Sequence, residues 1–385
     1  MAKKAFPVMD SDLHTMEPAD IWERYLDEPF KKFIPSIVGP LKKKPAVRAQ
    51  HHGAQPSSHK QSSANSNHDL QQQQRTFHPH YSLARKRGFD PESSLQAMDM
   101  EGVDVAIIFG THGRHVQMRD DLDPQLAAAL ARAHNNWTYD YCSANPGRLK
   151  FAAQISFHDV SLAVQEARRA VGKLGAVGII GNPNPVNGRH IHDSYFEPLW
   201  SAIEELDVPA CFHPTGVWSL RDNIARRFLG HANGTTIAIA AHNPIEVMLG
   251  FASLAGGGVF ERHPKLRCAF LEGTCGWLPW WLWRMDETWE KFGPGTETPI
   301  SSLPSEYFLR QCFVATEPDE KVLRHVIEEI GDDNIVFATD YPHRDGLFPE
   351  AVNVLMGLPD VSEATKAKIL WNNCVRLYPS AGPRG

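Results

Sequence analysis

The sequence predicts an α/β protein, a (β/α)8 barrel with long insertions after the first and fifth strands. Eight short apolar segments recur along the 385 residues, and each is followed by a longer segment with helical periodicity. Alternation of strands and helices indicates a parallel sheet, and eight repeats favour a closed barrel over an open sheet. The predicted strands span residues 6–12, 103–109, 149–155, 176–180, 208–213, 266–271, 311–315 and 335–339.

Most of these segments are continuous apolar runs, which is typical of strands covered by helices on both faces. The clearest helical patterns between them span residues 159–174, 195–206 and 318–330. Hydrophobic residues make up 42% of the chain and charged residues 22%, a composition typical of a globular protein. We therefore expect one barrel domain over residues 1–385.

Two connections are too long to be simple loops. The first spans about residues 38–95, and its middle is rich in Ser, Gln, His and Asn. The second spans about residues 215–260 and has a helical pattern, in which Asn243-Pro244 predicts a helix start. Both follow strands, so we expect both at the C-terminal face of the barrel, where barrel enzymes form their pockets.

Composition and charge exclude several classes of protein. The formal net charge is −6, and acidic and basic residues are mixed, unlike the basic patch of a nucleic-acid-binding protein. The longest apolar stretch, residues 276–283, is too short to span a bilayer, and the first residues lack the apolar run of a secretory signal. The six cysteines form no CxxC pair. We expect a cytoplasmic protein that acts on a small molecule, without nucleic-acid or membrane partners.

Residues with metal-binding side chains stand at the ends of four predicted strands. Asp12 and His14 follow the first strand and, two residues apart, point the same way. His213 ends the fifth strand, Glu272 the sixth and Asp340 the eighth. The carboxyl ends of parallel strands share one face, so these side chains should form one ring. Mixed nitrogen and oxygen ligands of this kind suit Zn²⁺, Mn²⁺ or Fe²⁺.

At these residues the sequence resembles the amidohydrolase superfamily, in the amidohydrolase-2 branch that includes aminocarboxymuconate-semialdehyde decarboxylase. The resemblance covers nearly the whole chain except about residues 40–80. It is specific because several motifs occur in the family's order, although none would suffice alone. The motifs are Asp10-x-Asp12-x-His14, Phe212-His213-Pro214, residues 260–266, residues 272–279, Arg284-Met285-Asp286, residues 339–343 and residues 369–373.

The resemblance implies a role for each residue of the ring. The family's first-strand pair is His-x-His, so Asp12 replaces one histidine and His14 matches the other. His213 and Asp340 match the other metal ligands, and Asp340 would also orient or deprotonate an attacking water. Glu272 stands where the semialdehyde decarboxylase has a catalytic histidine, so it is either a general base or a ligand of a second metal. The number of metal ions, one or two, remains open.

Glu272 in place of that histidine favours hydrolysis. In this interpretation a metal-activated water attacks the carbonyl of an amide, ester or thioester, or the carbonyl beside a C–C bond. The alternative is metal-dependent, non-oxidative decarboxylation of an aromatic or unsaturated carboxylic acid. A barrel that only binds a ligand is a third class, against which the intact ligand set argues.

Several further residues are candidates for the pocket. His343, close behind Asp340, is a candidate catalytic residue, with a capping role in its loop as the alternative. His242 and Arg85, in the two insertions, are candidate substrate contacts; for Arg85 the alternative is an ordinary surface position. Glu17 is also a candidate substrate contact, or else a carboxylate at the start of a helix. Asp10 would support the ligands from behind.

The tryptophans at 280, 281 and 283 cannot all face inward from one short helix. We expect one face of this helix to pack on the barrel and the other to contact a second subunit. The sequence thus predicts a homodimer or homo-oligomer.

Overall fold

The computed structural model describes residues 6–37, 81–113, 119–214, 223–228, 230–296, 300–343 and 346–382. Eight parallel strands form one sheet in the order β1 to β8, flanked by helices, and this confirms the predicted (β/α)8 barrel. The strands are β1 Met9–Thr15, β2 Val105–Gly110, β3 Leu149–Gln154, β4 Gly178–Gly181, β5 Ala210–Phe212, β6 Cys268–Phe270, β7 Cys312–Thr316 and β8 Ile335–Phe337.

Helices lie between the strands and cover the outside of the sheet. Short 3-10 turns occur at Ser194–Phe196, Ile224–Arg227 and Pro379–Ala381, and a π-helical turn at Lys368–Asn372. The α-helices are Ile21–Tyr25, Glu28–Lys31, Ser82–Lys86, Pro91–Glu101, Pro124–Cys142, Val160–Leu174, Glu197–Glu205, Gly234–Gly256, Val259–Arg262, Leu278–Phe292, Pro304–Gln311, Leu323–Ile330, Ala351–Met356, Glu363–Ala367 and Asn373–Leu377.

The barrel closes through hydrogen bonds between β1 and the segment around β8. The hydroxyl of Ser11 donates to the carbonyl of Phe337 at 2.7 Å. Further up, the backbone N–H of His14 donates to the carbonyl of Tyr341 at 2.6 Å, and that of Asp340 to the carbonyl of Asp12 at 3.2 Å. Closure therefore brings β1 and the segment after β8 together at the predicted site.

Alternation along the strands divides the core into two layers. In β2, Ile107 and Phe109 point into the barrel interior, while Ala106 and Ile108 face the helices. In β5 the neighbours Cys211 and Phe212 divide in the same way, and all six residues of β2 are buried. Burial on both faces explains why the strands are continuous apolar runs in the sequence.

The helix after β5 differs from the prediction. It spans Gly234–Gly256 and carries Pro244 in its interior, so the predicted helix start at Asn243-Pro244 is wrong. Proline removes one backbone hydrogen bond, whereas continuation of the helix buries Val247, Phe251 and Leu254 in the core. By length and composition alone this helix could cross a membrane, which is weak evidence; 39% of its most apolar stretch is buried, and these three side chains pack on the barrel.

The first insertion was predicted to extend too far. Helix Pro91–Glu101 precedes β2 and packs Ala97 and Met98 into the core, so it belongs to the barrel. Asp90 caps its N-terminus by accepting a hydrogen bond from the backbone of Ser93 at 2.9 Å. Residues 38–80 of this insertion, and 215–222 of the second, lie outside the described residues.

Candidate metal centre and active site

Four of the predicted ligands meet at the C-terminal mouth of the barrel. His14 Nε2 lies 3.2 Å from His213 Nε2, 3.3 Å from Asp12 Oδ1 and 3.5 Å from Asp340 Oδ1. His213 Nε2 lies 3.5 Å from Asp12 Oδ2. Asp12, His14 and His213 are buried, and Asp340 is partly exposed toward the mouth.

These separations fit a shared metal ion. Ligand atoms about 2.0–2.2 Å from one ion lie roughly 3–3.5 Å from one another. Each imidazole also uses Nδ1 elsewhere: His213 Nδ1 donates to the carbonyl of Pro214 at 3.1 Å, and His14 Nδ1 lies 3.2 Å from Thr111 Oγ1. Both rings therefore direct Nε2 toward the cluster, an arrangement typical of histidine metal ligands. Asp12, His14 and His213 form one candidate metal-binding group.

His343 lies beside Asp340, on the side of the mouth nearest to β2. Its Nδ1 is 2.6 Å from Asp340 Oδ1, and its Nε2 is 3.2 Å from the hydroxyl of Thr111. His14, Asp340 and His343 form a second candidate metal-binding group. The two ring nitrogens of His343 thus contact Asp340 and Thr111, and its catalytic role stays a prediction.

Glu272 lies on the opposite side of the cluster. Its Oε2 is 2.7 Å from His213 Nε2, and its Oε1 accepts a hydrogen bond from the side chain of Asn243 at 3.1 Å. The carboxylate thus lies within reach of the cluster, in neither of the two candidate metal-binding groups. Whether it is a base or a metal ligand stays a prediction.

Two of the site's carboxylates stand on left-handed backbone. Glu272 and Asp340 both have φ of 53°. Glu272 lies two residues beyond the end of β6, and Asp340 lies three residues beyond the end of β8. Residues other than glycine adopt this conformation rarely, and it costs on the order of 1–3 kcal/mol where it occurs. Such positions concentrate at functional sites, and here the turn carries each carboxylate from its strand toward the cluster.

Asp10 lies beneath the ligands, as the sequence suggested. It accepts hydrogen bonds from the backbone N–H groups of Asp12 and Thr339 and from the Thr339 hydroxyl. Burial raises the pKa of Asp10 to about 7, against the lowering effect of these hydrogen bonds. Asp10 thus joins β1 to the segment after β8 directly below the site.

Glu17 binds the segment after β2. Its carboxylate accepts hydrogen bonds from the backbone N–H groups of Thr111, His112 and Gly113 at 3.1, 2.7 and 3.1 Å, and from His134 Nε2 at 2.8 Å. Burial alone would raise the pKa of Glu17, but the bonds and charge of its partners, His134 first, lower it to about 2. These contacts give Glu17 a supporting position at the end of β2, and a substrate contact by Glu17 stays a prediction.

The other two predicted substrate contacts lie on helices of the two insertions. His242 is fully buried in helix Gly234–Gly256, with Nδ1 3.6 Å from Glu246 Oε1. Glu246 accepts hydrogen bonds from Asn184 and from the backbone of Ile224, so this group holds the segment after β5. Arg85 is exposed on helix Ser82–Lys86. Substrate contacts by His242 and Arg85 stay predictions.

A cavity opens beside the ring, between the ends of β1, β6, β7 and β8. Its lining includes five carboxylates, together with Asn243 and threonines. The carboxylates are those of Asp12, Glu272, Glu317, Asp319 and Asp340. No lysine or arginine lines it among the described residues.

Sequence reasoning missed Thr111 and Asn243, which contact the site. Thr111 directly follows β2, so its place at a strand end was a usable signal, although a lone threonine carries no metal-binding signature. Asn243 lies within a helix whose start was misplaced, and its contact with Glu272 could not be read from the sequence.

Comparison with known proteins identifies the family of this chain. Residues 12–380 match the family described as amidohydrolase. The chain belongs to the amidohydrolase family. It is 28% identical to gamma-resorcylate decarboxylase of Polaromonas sp. over 296 residues, which cover 74% of this chain and 86% of that protein. It is 26% identical to 2-amino-3-carboxymuconate-6-semialdehyde decarboxylase of Dictyostelium discoideum over 299 residues, 75% of this chain and 76% of that protein.

A solved structure shares the fold of this amidohydrolase. Dihydroxybenzoic acid decarboxylase of Polaromonas sp. JS666, with bound manganese and the inhibitor 2-nitroresorcinol, matches with a TM-score of 0.66 and 20% identity over 98% of both chains. The predicted family and the prediction of an enzyme are thereby confirmed. The relatives favour the decarboxylase alternative over the hydrolase interpretation, which was the first choice from the sequence.

Proposed function

We propose that this protein is a metal-dependent, non-oxidative decarboxylase of an aromatic or unsaturated carboxylic acid. The observation that carries the proposal is the Asp340–His343 pair, joined at 2.6 Å beside the cluster of Asp12, His14 and His213. Decarboxylation needs a proton for the carbon that loses its carboxyl group, and this pair can hold one next to a metal-bound substrate. The decarboxylase relatives support the same reaction.

The acidic cavity supports metal dependence. Its five carboxylates would repel a carboxylate substrate in the absence of a nearby cation. Asp12, His14, His213 and Asp340 would hold a divalent ion, with Mn²⁺, Fe²⁺ and Zn²⁺ all compatible with these ligands. Held by these residues, a divalent ion would offset the negative charge of the cavity and orient the substrate carboxylate.

The residues of the chain then handle the proton. In the proposed step His343 first takes up a second proton at Nε2. Its Nδ1 proton, held at the contact with Asp340 Oδ1, then passes to the carbon that bears the carboxyl group, which leaves His343 neutral and Asp340 ionised. The bond between this carbon and the carboxyl carbon breaks, its electron pair remains on the ring or chain to form the new C–H bond, and CO₂ leaves. Replenishment of the proton through His343 completes the cycle. Asn243 keeps Glu272 turned toward His213 throughout.

The test is the reaction of the metal-loaded protein with a panel of hydroxybenzoic acids in D₂O. We expect CO₂ release and one deuterium at the vacated carbon. Asp340→Asn should slow the reaction by at least about 10²–10⁴-fold, the usual contribution of a positioned acid, since it also removes a residue that would hold the metal. Asp360→Asn, on the surface, should leave the rate unchanged. Hydrolysis of an amide, ester or thioester without CO₂ release from any acid would contradict the proposal and restore the hydrolase interpretation.

We also propose that the protein works as a soluble enzyme in the cytoplasm on a small molecule, without nucleic-acid partners. The mixed surface charge, with a net charge of −6, supports this. Binding of the purified protein to DNA or RNA at physiological salt would contradict it.

A further inference from the structure

The hydroxyl of Thr111 contacts two histidines of the site at once. Its Oγ1 lies 3.2 Å from His14 Nδ1 and 3.2 Å from His343 Nε2. Thr111 directly follows β2, and its side chain is buried, with 8% exposure. The imidazole rings of His14 and His343 are neighbours: their centroids are 4.3 Å apart and their planes are inclined by 36°. No other hydrogen bond of this hydroxyl occurs among the described residues.

Only one arrangement of protons satisfies every contact when both histidines are neutral and His14 Nε2 binds metal. The proton of His14 is then on Nδ1, which donates to Thr111 Oγ1. The single hydroxyl proton of Thr111 donates to His343 Nε2. The proton of His343 is consequently on Nδ1, which donates to Asp340 Oδ1. The chain of hydrogen bonds has one direction, from the metal ligand His14 to Asp340.

The backbone of Thr111 is fixed from below by the buried carboxylate of Glu17. That carboxylate accepts the N–H groups of residues 111–113 and a hydrogen bond from His134. Gly110 lets the pair approach, because a Cβ there would lie 2.4 Å from His134 Nε2 and 2.7 Å from Glu17 Oε1. The position of the hydroxyl is thus set by the contacts of its backbone with Glu17 and His134 as well as by its own rotamer.

We propose that Thr111 is a positioning residue that couples the metal ligand His14 to the proton-holding pair His343–Asp340. By accepting from His14 it keeps Nε2 of that ring directed at the metal, and by donating to His343 it keeps Nδ1 of that ring directed at Asp340. The second half of this role rests on the proposed function, whereas the first requires only the metal site.

A hydroxyl-specific comparison tests the proposal. Thr111→Val keeps the shape of the side chain and removes the hydroxyl, Thr111→Ser keeps the hydroxyl, and Thr365→Val is the matched control. Thr365 is equally buried at 8% exposure, and its hydroxyl donates to Asp332 at 2.7 Å on the other side of the molecule. The first readout is the affinity of metal-free protein for Mn²⁺, measured from the paramagnetic resonance signal of unbound Mn²⁺ in the absence of substrate.

We expect Thr111→Val to weaken Mn²⁺ binding by about 10–100-fold, the usual effect of removing a partner of a metal-bound histidine. Thr111→Ser should stay close to wild type, and Thr365→Val should bind Mn²⁺ unchanged even if it lowers the unfolding midpoint. The second readout is the turnover number for the decarboxylated acid, which we expect to fall further in Thr111→Val than the lost metal occupancy explains, with rescue in Thr111→Ser.

The outcomes separate this inference from the proposed function. Wild-type Mn²⁺ affinity in Thr111→Val overturns the inference, whatever the reaction. A loss restored by serine, in a protein that decarboxylates no acid, supports the role of Thr111 at the metal and overturns the proposed reaction. Absence of Mn²⁺, Zn²⁺ and Fe²⁺ binding to the wild type overturns both.

Discussion

The carboxyl group of Glu101 is buried away from the site, and its ionisation affects the stability of the protein. Glu101 ends helix Pro91–Glu101, and its Oε1 accepts the backbone N–H of Val352 at 2.8 Å. Its Oε2 is buried with no hydrogen-bond partner among the described residues. Burial, together with the nearby charge of Asp10, raises its pKa to about 7 despite the hydrogen bond from Val352.

This raised pKa predicts a pH-dependent effect of Glu101→Gln. The folded protein holds the proton more tightly than the unfolded chain, so ionisation of Glu101 destabilises the fold increasingly between pH 4.5 and 7 and fully above pH 7. The variant should therefore gain stability relative to wild type as pH rises from 5 to 8, by up to roughly 3 kcal/mol. Urea unfolding across this range measures it.

Glu92→Gln is the control for this prediction, since Glu92 is exposed on the same helix. This variant removes one carboxylate from the same helix without touching a buried group. A difference between Glu101→Gln and wild type that stays constant from pH 5 to 8 would show that the buried carboxyl is not protonated in the folded protein.

The proximity of Asp12, His14, His213 and Asp340 could be predicted because strand ends in a barrel converge; metal binding by them stays a prediction. Their supporting partners could not be predicted in the same way. The contact of Thr111 with His343 spans 232 residues of sequence and depends on a side-chain rotamer. Glu17 was ambiguous because one carboxylate can serve a helix start, a substrate or a buried loop, and only its surroundings decide.

At the scale of elements, the packing at the end of β2 requires a glycine at position 110. A Cβ on Gly110 would collide with the His134–Glu17 pair. We predict that Gly110→Ala displaces this pair, lowers the unfolding free energy by about 1–3 kcal/mol or more, and weakens metal binding through Thr111. Thermal unfolding and metal uptake of the purified variant measure the two effects.

Gly172→Ala is the matched glycine substitution. Gly172 is exposed in helix Val160–Leu174, with nothing within 4 Å of an added Cβ. It should stabilise the protein by about 0.5–1 kcal/mol, because alanine favours the helix. Equal stability of the two variants would show that the end of β2 tolerates a side chain.

The number, order and type of the strands could be predicted, whereas several boundaries could not. β1 runs to Thr15, three residues beyond its predicted end, because its polar residues at the mouth still pair with β2. The helix predicted over residues 318–330 begins only at Leu323. In both places the boundary of the element is set by contacts with distant segments and not by the local composition of the sequence.

At the scale of the whole molecule, helix Leu278–Phe292 presents two tryptophans to solvent. Trp280 and Trp283 are 56% and 58% exposed, while Trp281 turns inward and donates to the carbonyl of Met248 at 3.0 Å. Exposed tryptophans are costly on a monomer and common in interfaces. We therefore propose that this face joins two copies of the chain.

This proposal predicts that Trp280→Lys combined with Trp283→Lys yields a monomer in analytical ultracentrifugation, where the wild type sediments as a dimer or larger assembly. Tyr139→Lys, at an exposed aromatic residue of helix Pro124–Cys142, should leave assembly unchanged. A monomeric wild-type protein would contradict the proposal.

The reaction was harder to predict than the fold or the ring. The same ligands can activate a water or bind a carboxylate, and Glu272 in place of a histidine suggested hydrolysis. What favours decarboxylation is the activity of the relatives. The Asp340–His343 contact at 2.6 Å is compatible with either reaction, and the motif Thr339-Asp340-Tyr341-Pro342-His343 does not display it by itself.

The most direct test of the central claim, that these side chains bind a catalytic metal, is the metal content of the protein. Wild type, Asp12→Asn, Asp340→Asn and the surface variant Asp360→Asn would be stripped, reloaded with Mn²⁺, Zn²⁺ or Fe²⁺, desalted and analysed for bound metal. We predict stoichiometric metal in wild type and Asp360→Asn, and a loss of most of it in the other two. Equal metal content in all four proteins, or none in the wild type, would contradict the account.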